Sequence, residues 1–138
     1  MSNPQNEDKL IQEMLAHSKT IAVVGLSPDP DKPSFEVAHY LKSKGYKIIP
    51  VRPGSDQILG EKVYASLSEI PVPVDIVDIF RKVEFIPEIV EEAIRIKAKA
   101  VWMQMGLVHP QASEKAKAAG LKVVMDRCLL IEHRRLLK

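Results

Sequence analysis

The chain has one cysteine, Cys128, so no intrachain disulfide can form and a disulfide-stapled scaffold is excluded. It has almost no charge imbalance: 20 Lys and Arg stand against 18 Asp and Glu. The net charge of +2 is too small to imply a nucleic-acid partner, and only Arg134-Arg135 forms a short basic run. No apolar run approaches the roughly 18 residues of a membrane span. The first eight residues, Met1 to Asp8, hold neither a basic segment nor an apolar one, so no signal peptide is expected. These absences predict a soluble, cytoplasmic protein with no nucleic-acid and no membrane partner.

Catalytic groupings are equally scarce. The four histidines, His17, His39, His109 and His133, show no metal-ligand spacing. His17, His39 and His133 fall in helix-like segments, as surface or packing residues, and His109 sits at a helix start as a cap or a solvated side chain. Asp75 and Asp78 lie three apart in a predicted strand and therefore face opposite sides, which removes them as a hydrolytic pair. Cys128 has no histidine or asparagine placed to activate it, so a buried packing or redox role is expected ahead of a nucleophilic one. No catalytic residue and no metal ligand are assigned, and the expectation leans away from an enzyme.

What is present is an alternation of strands and helices. At 138 residues and 46 % hydrophobic composition the chain fits one domain over residues 1–138, with a core that needs no disulfide or metal. Leu10, Ile11, Met14 and Leu15 suggest a short amphipathic helix, and Thr20 to Val24 is apolar throughout, as in a strand covered on both faces. Ser34 looks like the N-cap of a helix carrying Val37, Ala38 and Leu41, with Gly45 as its stop. Further strands are predicted at Lys47–Val51, Val74–Phe80, Ala100–Met103 and Lys122–Met125. Short extended pieces are expected at 58–60 and 63–64, and one helical turn at 66–69. Ile86, Ile89, Val90, Ala93 and Ile94 give the strongest helical period, Pro110 to Gly120 bounds another helix, and Leu129 to Leu137 a last one. The pattern predicts an α/β fold: a Rossmann-type, doubly wound, parallel five-stranded sheet in three layers.

In such a sheet ligands bind beyond the carboxyl ends of the strands. Five segments qualify: Gly25-Leu26-Ser27, Arg52-Pro53, Phe80-Arg81, Gln104-Met105-Gly106 and Asp126-Arg127-Cys128. Gly25 allows a sharp turn and close approach to a phosphate, and Ser27 offers a hydroxyl donor, although Ser27 and Pro30 replace two glycines of the dinucleotide fingerprint. An NAD site needs an acidic side chain after the second strand. Arg52 stands there instead, which disfavours NAD and leaves NADP or coenzyme A, or simply a solvated arginine. Phe80 and Arg81 could stack on adenine, with core packing as the alternative for Phe80. Gln104 offers an amide, and Gly106 room for a ligand to pass.

Taken together, several stretches resemble the small stand-alone CoA-binding proteins, themselves similar to the CoA-binding domain of the succinyl-CoA synthetase alpha subunit. They are Ile21-Ala-Val-Val-Gly-Leu-Ser27, Lys32-Pro-Ser34, Tyr40-Leu41 with Gly45-Tyr46, and Ile58-Leu-Gly60 with Val63-Tyr64. They continue with Val74-Asp-Ile-Val-Asp78 and Phe80-Arg81, Val101-Trp-Met-Gln104 and Gly106, and Asp126-Arg-Cys128 with Glu132-His133. The resemblance implies a Rossmann-type domain that holds coenzyme A or an acyl-CoA without established catalysis. It implies a phosphate-facing turn at Gly25, Leu26 and Ser27 with Lys32 and Ser34 nearby. It implies nucleotide contacts from Val51, Arg52, Pro53, Phe80 and Arg81, and pyrophosphate or pantetheine contacts from Gln104 and Gly106. Arg52 replaces a frequent asparagine, and Lys32 a frequent arginine whose planar fork it lacks. The alternatives are a small NADP-dependent reductase, or a partner-binding subunit or homo-oligomer whose nucleotide site is structural.

Overall fold

The apolar runs fold as strands and helices in the predicted order in a computed structural model, which describes residues 4–137. Helix α1 (Pro4–His17) precedes β1 (Thr20–Val24), α2 (Pro33–Ser43) and β2 (Lys47–Val51). A small hairpin follows, β3 (Gln57–Ile58) with β4 (Glu61–Lys62), then a 3-10 turn at Leu67–Glu69. The chain continues through β5 (Ile76–Ile79), α3 (Ile86–Arg95), β6 (Ala100–Met103), α4 (Pro110–Ala118), β7 (Lys122–Val124) and α5 (Leu129–Leu136).

Five strands form one parallel sheet in the order β2-β1-β5-β6-β7. The chain reverses its direction of progress between β1 and β5, so the switch point lies there, with β1 reaching outward to β2 and β5 outward to β6 and β7. Both faces are covered. Ile21, Val23, Ile76 and Trp102 pack under α1, α2 and α5 in one core, and Ala22, Val24, Val77, Ile79, Val101 and Met103 pack with α3 and α4 in the other. Double coverage is why the strands read as continuous apolar runs. Pro50, which cannot donate to a ladder, sits in the edge strand β2. There its carbonyl accepts from Tyr64, whose own carbonyl accepts from Arg52.

Element ends differ from expectation at α2, β5 and β7, and the extended pieces expected at 58–60 and 63–64 lie instead at Gln57–Ile58 and Glu61–Lys62, with Tyr64 in an isolated bridge to Val51. Ser34 is not the N-cap of α2: Lys32 holds that position and Pro33 starts the helix, because its fixed φ and missing N–H suit the first turn. The expected strand Val74–Phe80 is Ile76–Ile79 in β5, although ladder bonds run on at both ends, from Asp75 N–H to Thr20 O and from Phe80 N–H to Val24 O. The last strand stops at Val124, because Asp126 takes a left-handed φ of 59° and turns the chain toward α5.

An ion network fastens α1 to α5. Glu132, 5 % exposed, accepts from Arg127 at 3.0 Å and from Arg135 Nε at 2.8 Å. Arg127 also reaches Glu7 at 2.6 Å, and Arg135 forks onto Asp8 at 2.9 and 2.6 Å. His133 is buried where α5 meets α2, with its Nδ1 2.8 Å from the Tyr40 hydroxyl. Burial there, together with the Lys44 charge, pushes its imidazole below the usual range.

Candidate functional site

The sheet order brings Arg52, Gly25, Phe80 and Gln104 to the ends of four neighbouring strands, β2, β1, β5 and β6. At Gly25 the backbone takes φ +88°, and its N–H donates to Val51 O at 2.9 Å. A Cβ there would overlap the Phe80 carbonyl oxygen and lie 3.0 Å from Arg81 Cδ, so the glycine lets the ends of β1 and β5 meet.

The turn beyond Gly25 is ordered by its own serines. Ser27 N–H donates to Ser34 Oγ at 3.0 Å, and Asp29 N–H donates to Ser27 Oγ at 3.0 Å. Both oxygens are fixed as acceptors, so each hydroxyl hydrogen is left to donate elsewhere. Ser34, expected as the cap, instead ties the first turn of α2 to the turn after β1. Arg52 reaches across from β2, with Nη1 3.4 Å from Leu26 O, while its buried Nε has no partner. Lys32 is exposed at the head of α2, and Asp29 and Asp31 are exposed on the same loop.

Leu26 and Val51 are buried in the two cores at 0 % and 3 % exposure, so only their backbones face the edge. Pro53 is exposed in the turn after β2. Phe80 and Arg81 do not form one stacking platform. Phe80 packs half-buried on the α1/α2/α5 core, whereas the Arg81 guanidinium lies 4.3 Å from the centre of the Phe85 ring, at the start of α3. Consecutive residues of extended chain point to opposite faces, so the pair flanks the switch point instead. Arg81 lines a cleft of about 320 Å³ with Val24, Val51, Phe85, Glu88 and Arg95.

Gln104 and Gly106 form a second group. The Gln104 carbonyl accepts from Leu129 N–H at 3.3 Å, and Gly106 N–H donates to Asp126 at 2.7 Å. Trp102 Nε1 donates to Arg127 O at 2.8 Å. These three bonds seat the loop before α5 on β6. Asp126 was one of five strand-end segments in the sequence, but its hold on Gly106 is a long-range pairing that no local pattern carries. Cys128 is half-buried and not fully buried as expected: it is the N-cap residue of α5 and packs on the rim of the α1/α2/α5 core. His109 acts as a cap, its Nδ1 accepting from Ala112 N–H at 3.1 Å.

Asp78 is the site's outlier. It lies in β5 at 0 % exposure, paired in register with Val23 and Trp102, and neither carboxylate oxygen has a partner. Burial pushes its carboxyl well above the usual carboxylate range. A larger groove, about 520 Å³, opens at the opposite edge of the sheet beside His17, Asp75, Lys97, Lys99 and Lys122. Among the described residues, no buried side-chain atom without a partner belongs to its lining, whereas Arg52 and Asp78 belong to the switch-point strands and their edge neighbour. The carboxyl edge is the better candidate although its cleft is smaller.

Comparison with known proteins gives the chain its relatives. The family described as "CoA binding domain" matches residues 19–134. The uncharacterized protein YneT of Bacillus subtilis is 44 % identical over 133 residues, covering 96 % of this chain and 97 % of that one. A hypothetical protein from Pyrococcus horikoshii OT3 superposes with a TM-score of 0.93 at 41 % identity, over 100 % of this chain and 99 % of that one. The alpha subunit of ADP-forming acetate–CoA ligase I from Pyrococcus furiosus is 37 % identical over 128 residues. That match covers 81 % of this chain but 28 % of the subunit.

Proposed function

The chain belongs to the CoA-binding domain family, and from that premise we propose that it binds coenzyme A or an acyl-CoA across the β1/β5 edge. It acts there as a carrier, sensor or accessory module without catalysis of its own. The observation that carries this reading is the turn at Gly25. Two serine hydroxyls are held there with their hydrogens free, Arg52 reaches the Leu26 carbonyl in the same turn, and the Arg81 stem borders Gly25. Hydroxyl donors and guanidinium groups suit phosphate oxygens, and CoA carries three phosphates. Gly25, Leu26, Ser27, Lys32 and Ser34 would face the pyrophosphate. Val51, Arg52 and Pro53 would face the phosphorylated ribose, with Phe80 and Arg81 on either side of the nucleotide. Gly106, whose N–H is already taken by Asp126, would contribute open space more than a donor, and Gln104 its free amide hydrogens.

Arg52 also decides between dinucleotides and CoA. An NAD ribose needs a carboxylate acceptor at this position, and a cation cannot supply one. Calorimetry is expected to rank CoA above NADP and NAD, and tighter binding of either dinucleotide would overturn the reading. Arg81→Ala is expected to weaken CoA about tenfold or more, since a charge-assisted hydrogen bond contributes about 1.5–3 kcal/mol. Its stacking on Phe85 contributes about 0.5–1 kcal/mol at an exposed site, so melting should move little. A variant that melts early while its folded fraction binds CoA normally would make Arg81 structural.

A protein partner is compatible with the same proposal, because one similar protein is named as a ligase subunit. Copurification of a second chain from the native source, lost on adding CoA, would place that partner at this edge.

A further inference from the structure

Two residues beyond Asp78 on the same face of the sheet stands Phe80, two beyond Val23 stands Gly25, and two beyond Trp102 stands Gln104. Gly25, Phe80 and Gln104 share the carboxyl edge of the sheet on the α1/α2/α5 side. Asp78, between Val23 and Trp102, lies one pleat below that edge, about 6.6 Å along the strand. It is fully buried, and both its oxygens lack a partner. A buried carboxyl left in this way is costly, and buried polar groups are almost always satisfied. The roof above it is local: the half-buried Phe80 ring and the first residues of α5, Leu129 and Leu130, belong to the same core. Leu129 N–H donates to Gln104 Oε1 at 3.3 Å, one of the bonds that seat the start of α5 at this edge.

We propose that Asp78 is the inner hydrogen-bonding contact of the ligand crevice, and that it receives an amide of the pantetheine arm when the Phe80 ring swings aside. The inference rests on the CoA reading above. The chemistry selects the arm over the rest of the molecule. The space around Asp78 is apolar and fully buried, with Val23 and Trp102 on either side. Phosphates and ribose hydroxyls would have to shed their water to enter it, at high cost. The pantetheine arm is narrow and uncharged, and each of its amides has one donor and one acceptor. A carboxyl held neutral by burial can pair with such an amide either way, giving its O–H to the carbonyl or accepting from the N–H.

Calorimetry with two ligands tests this: CoA, and adenosine 3′,5′-bisphosphate, which lacks the arm. Asp78→Val is expected to weaken CoA about tenfold while leaving the bisphosphate within about twofold, since losing a neutral hydrogen bond costs about 0.5–1.5 kcal/mol. Asp78→Asn keeps a donor and an acceptor and should fall between. Equal changes for both ligands, or wild-type CoA affinity in Asp78→Val, would overturn the proposal. A wild-type chain that binds the bisphosphate no more weakly than CoA would overturn it too. A wild-type chain that binds neither ligand sinks the CoA reading itself, a different result. Should Asp78→Val fail to fold, infrared difference spectra of the wild type decide. The carboxyl band assigned by its loss in Asp78→Asn must shift on adding CoA and stay put with the bisphosphate.

Discussion

Gly25→Ala is expected to destabilise the fold and abolish ligand binding together. The backbone there takes φ +88°, a region that costs a residue with a side chain about 1–3 kcal/mol. Relaxing the strain by rotating the backbone is blocked, because Gly25 N–H is tied to Val51 O on one side and the ends of β1 and β5 are joined through Phe80 N–H and Val24 O on the other. The new methyl would overlap the Phe80 carbonyl oxygen, so β5 must move away from β1, and overpacking of this kind costs about 1–3 kcal/mol more. The movement opens the switch point itself. Chemical denaturation should show a lower midpoint with an unchanged slope, and CoA should produce no thermal shift in the fraction that remains folded. Wild-type stability and wild-type affinity in this variant would mean that the turn has room the structure does not show. Gly45 and Gly120 also have positive φ, but nothing lies within 4 Å of a Cβ at either. Their alanine variants bear backbone strain alone and serve as the comparison.

The layered fold was legible because its signals are local. Thr20 to Val24 is apolar on both faces, α3 carries a full helical period, and Gly45 and Gly120 end their helices with φ of 97° and 94°. The boundaries that were misplaced depended on one residue's conformation: Pro33 starting α2, and Asp126 ending β7 with a left-handed φ. The strand-end rule also picked out the candidate site, since it needs only the order of strands. What stayed hidden were hydrogen-bond partners that no sequence pattern pairs. Ser34 accepting from Ser27, Asp126 accepting from Gly106, and Arg127 O accepting from Trp102 join segments by geometry that no spacing encodes. The separation of Phe80 from Arg81 was legible from strand alternation, yet the common reading of both as adenine platforms overrode it. Asp78 was noted only as facing away from Asp75. Three-residue spacing gives the face of a side chain, but burial and lack of a partner appear only once the helices are laid over the sheet.

The same carboxyl gives the second large effect, one that needs no ligand. Asp78→Asn is expected to stabilise the protein at neutral pH, and by an amount that depends on pH. In the unfolded chain the carboxyl ionises near its ordinary value, about 3.9. In the folded chain burial holds it well above that range, so it stays protonated where the unfolded chain has already lost its proton. Below the ordinary value both states are protonated, and the group adds no pH dependence. As the pH rises past it, the unfolded state gains from ionising and the folded state does not, so stability falls with pH until the folded group's own value is reached. Across that window the wild type loses about 1.4 kcal/mol for each pH unit relative to a residue that cannot ionise. Asparagine has nearly the same shape and keeps the packing against Val23 and Trp102, so the comparison isolates the proton. Paired denaturation of wild type and Asp78→Asn at pH 4, 5.5 and 7 should give stabilities that nearly agree at the lowest pH and separate steadily above it. A gap that stays constant with pH would mean that Asp78 ionises in the folded protein much as it does in the unfolded chain. In that case a cation or an ordered water chain must reach the centre of the sheet.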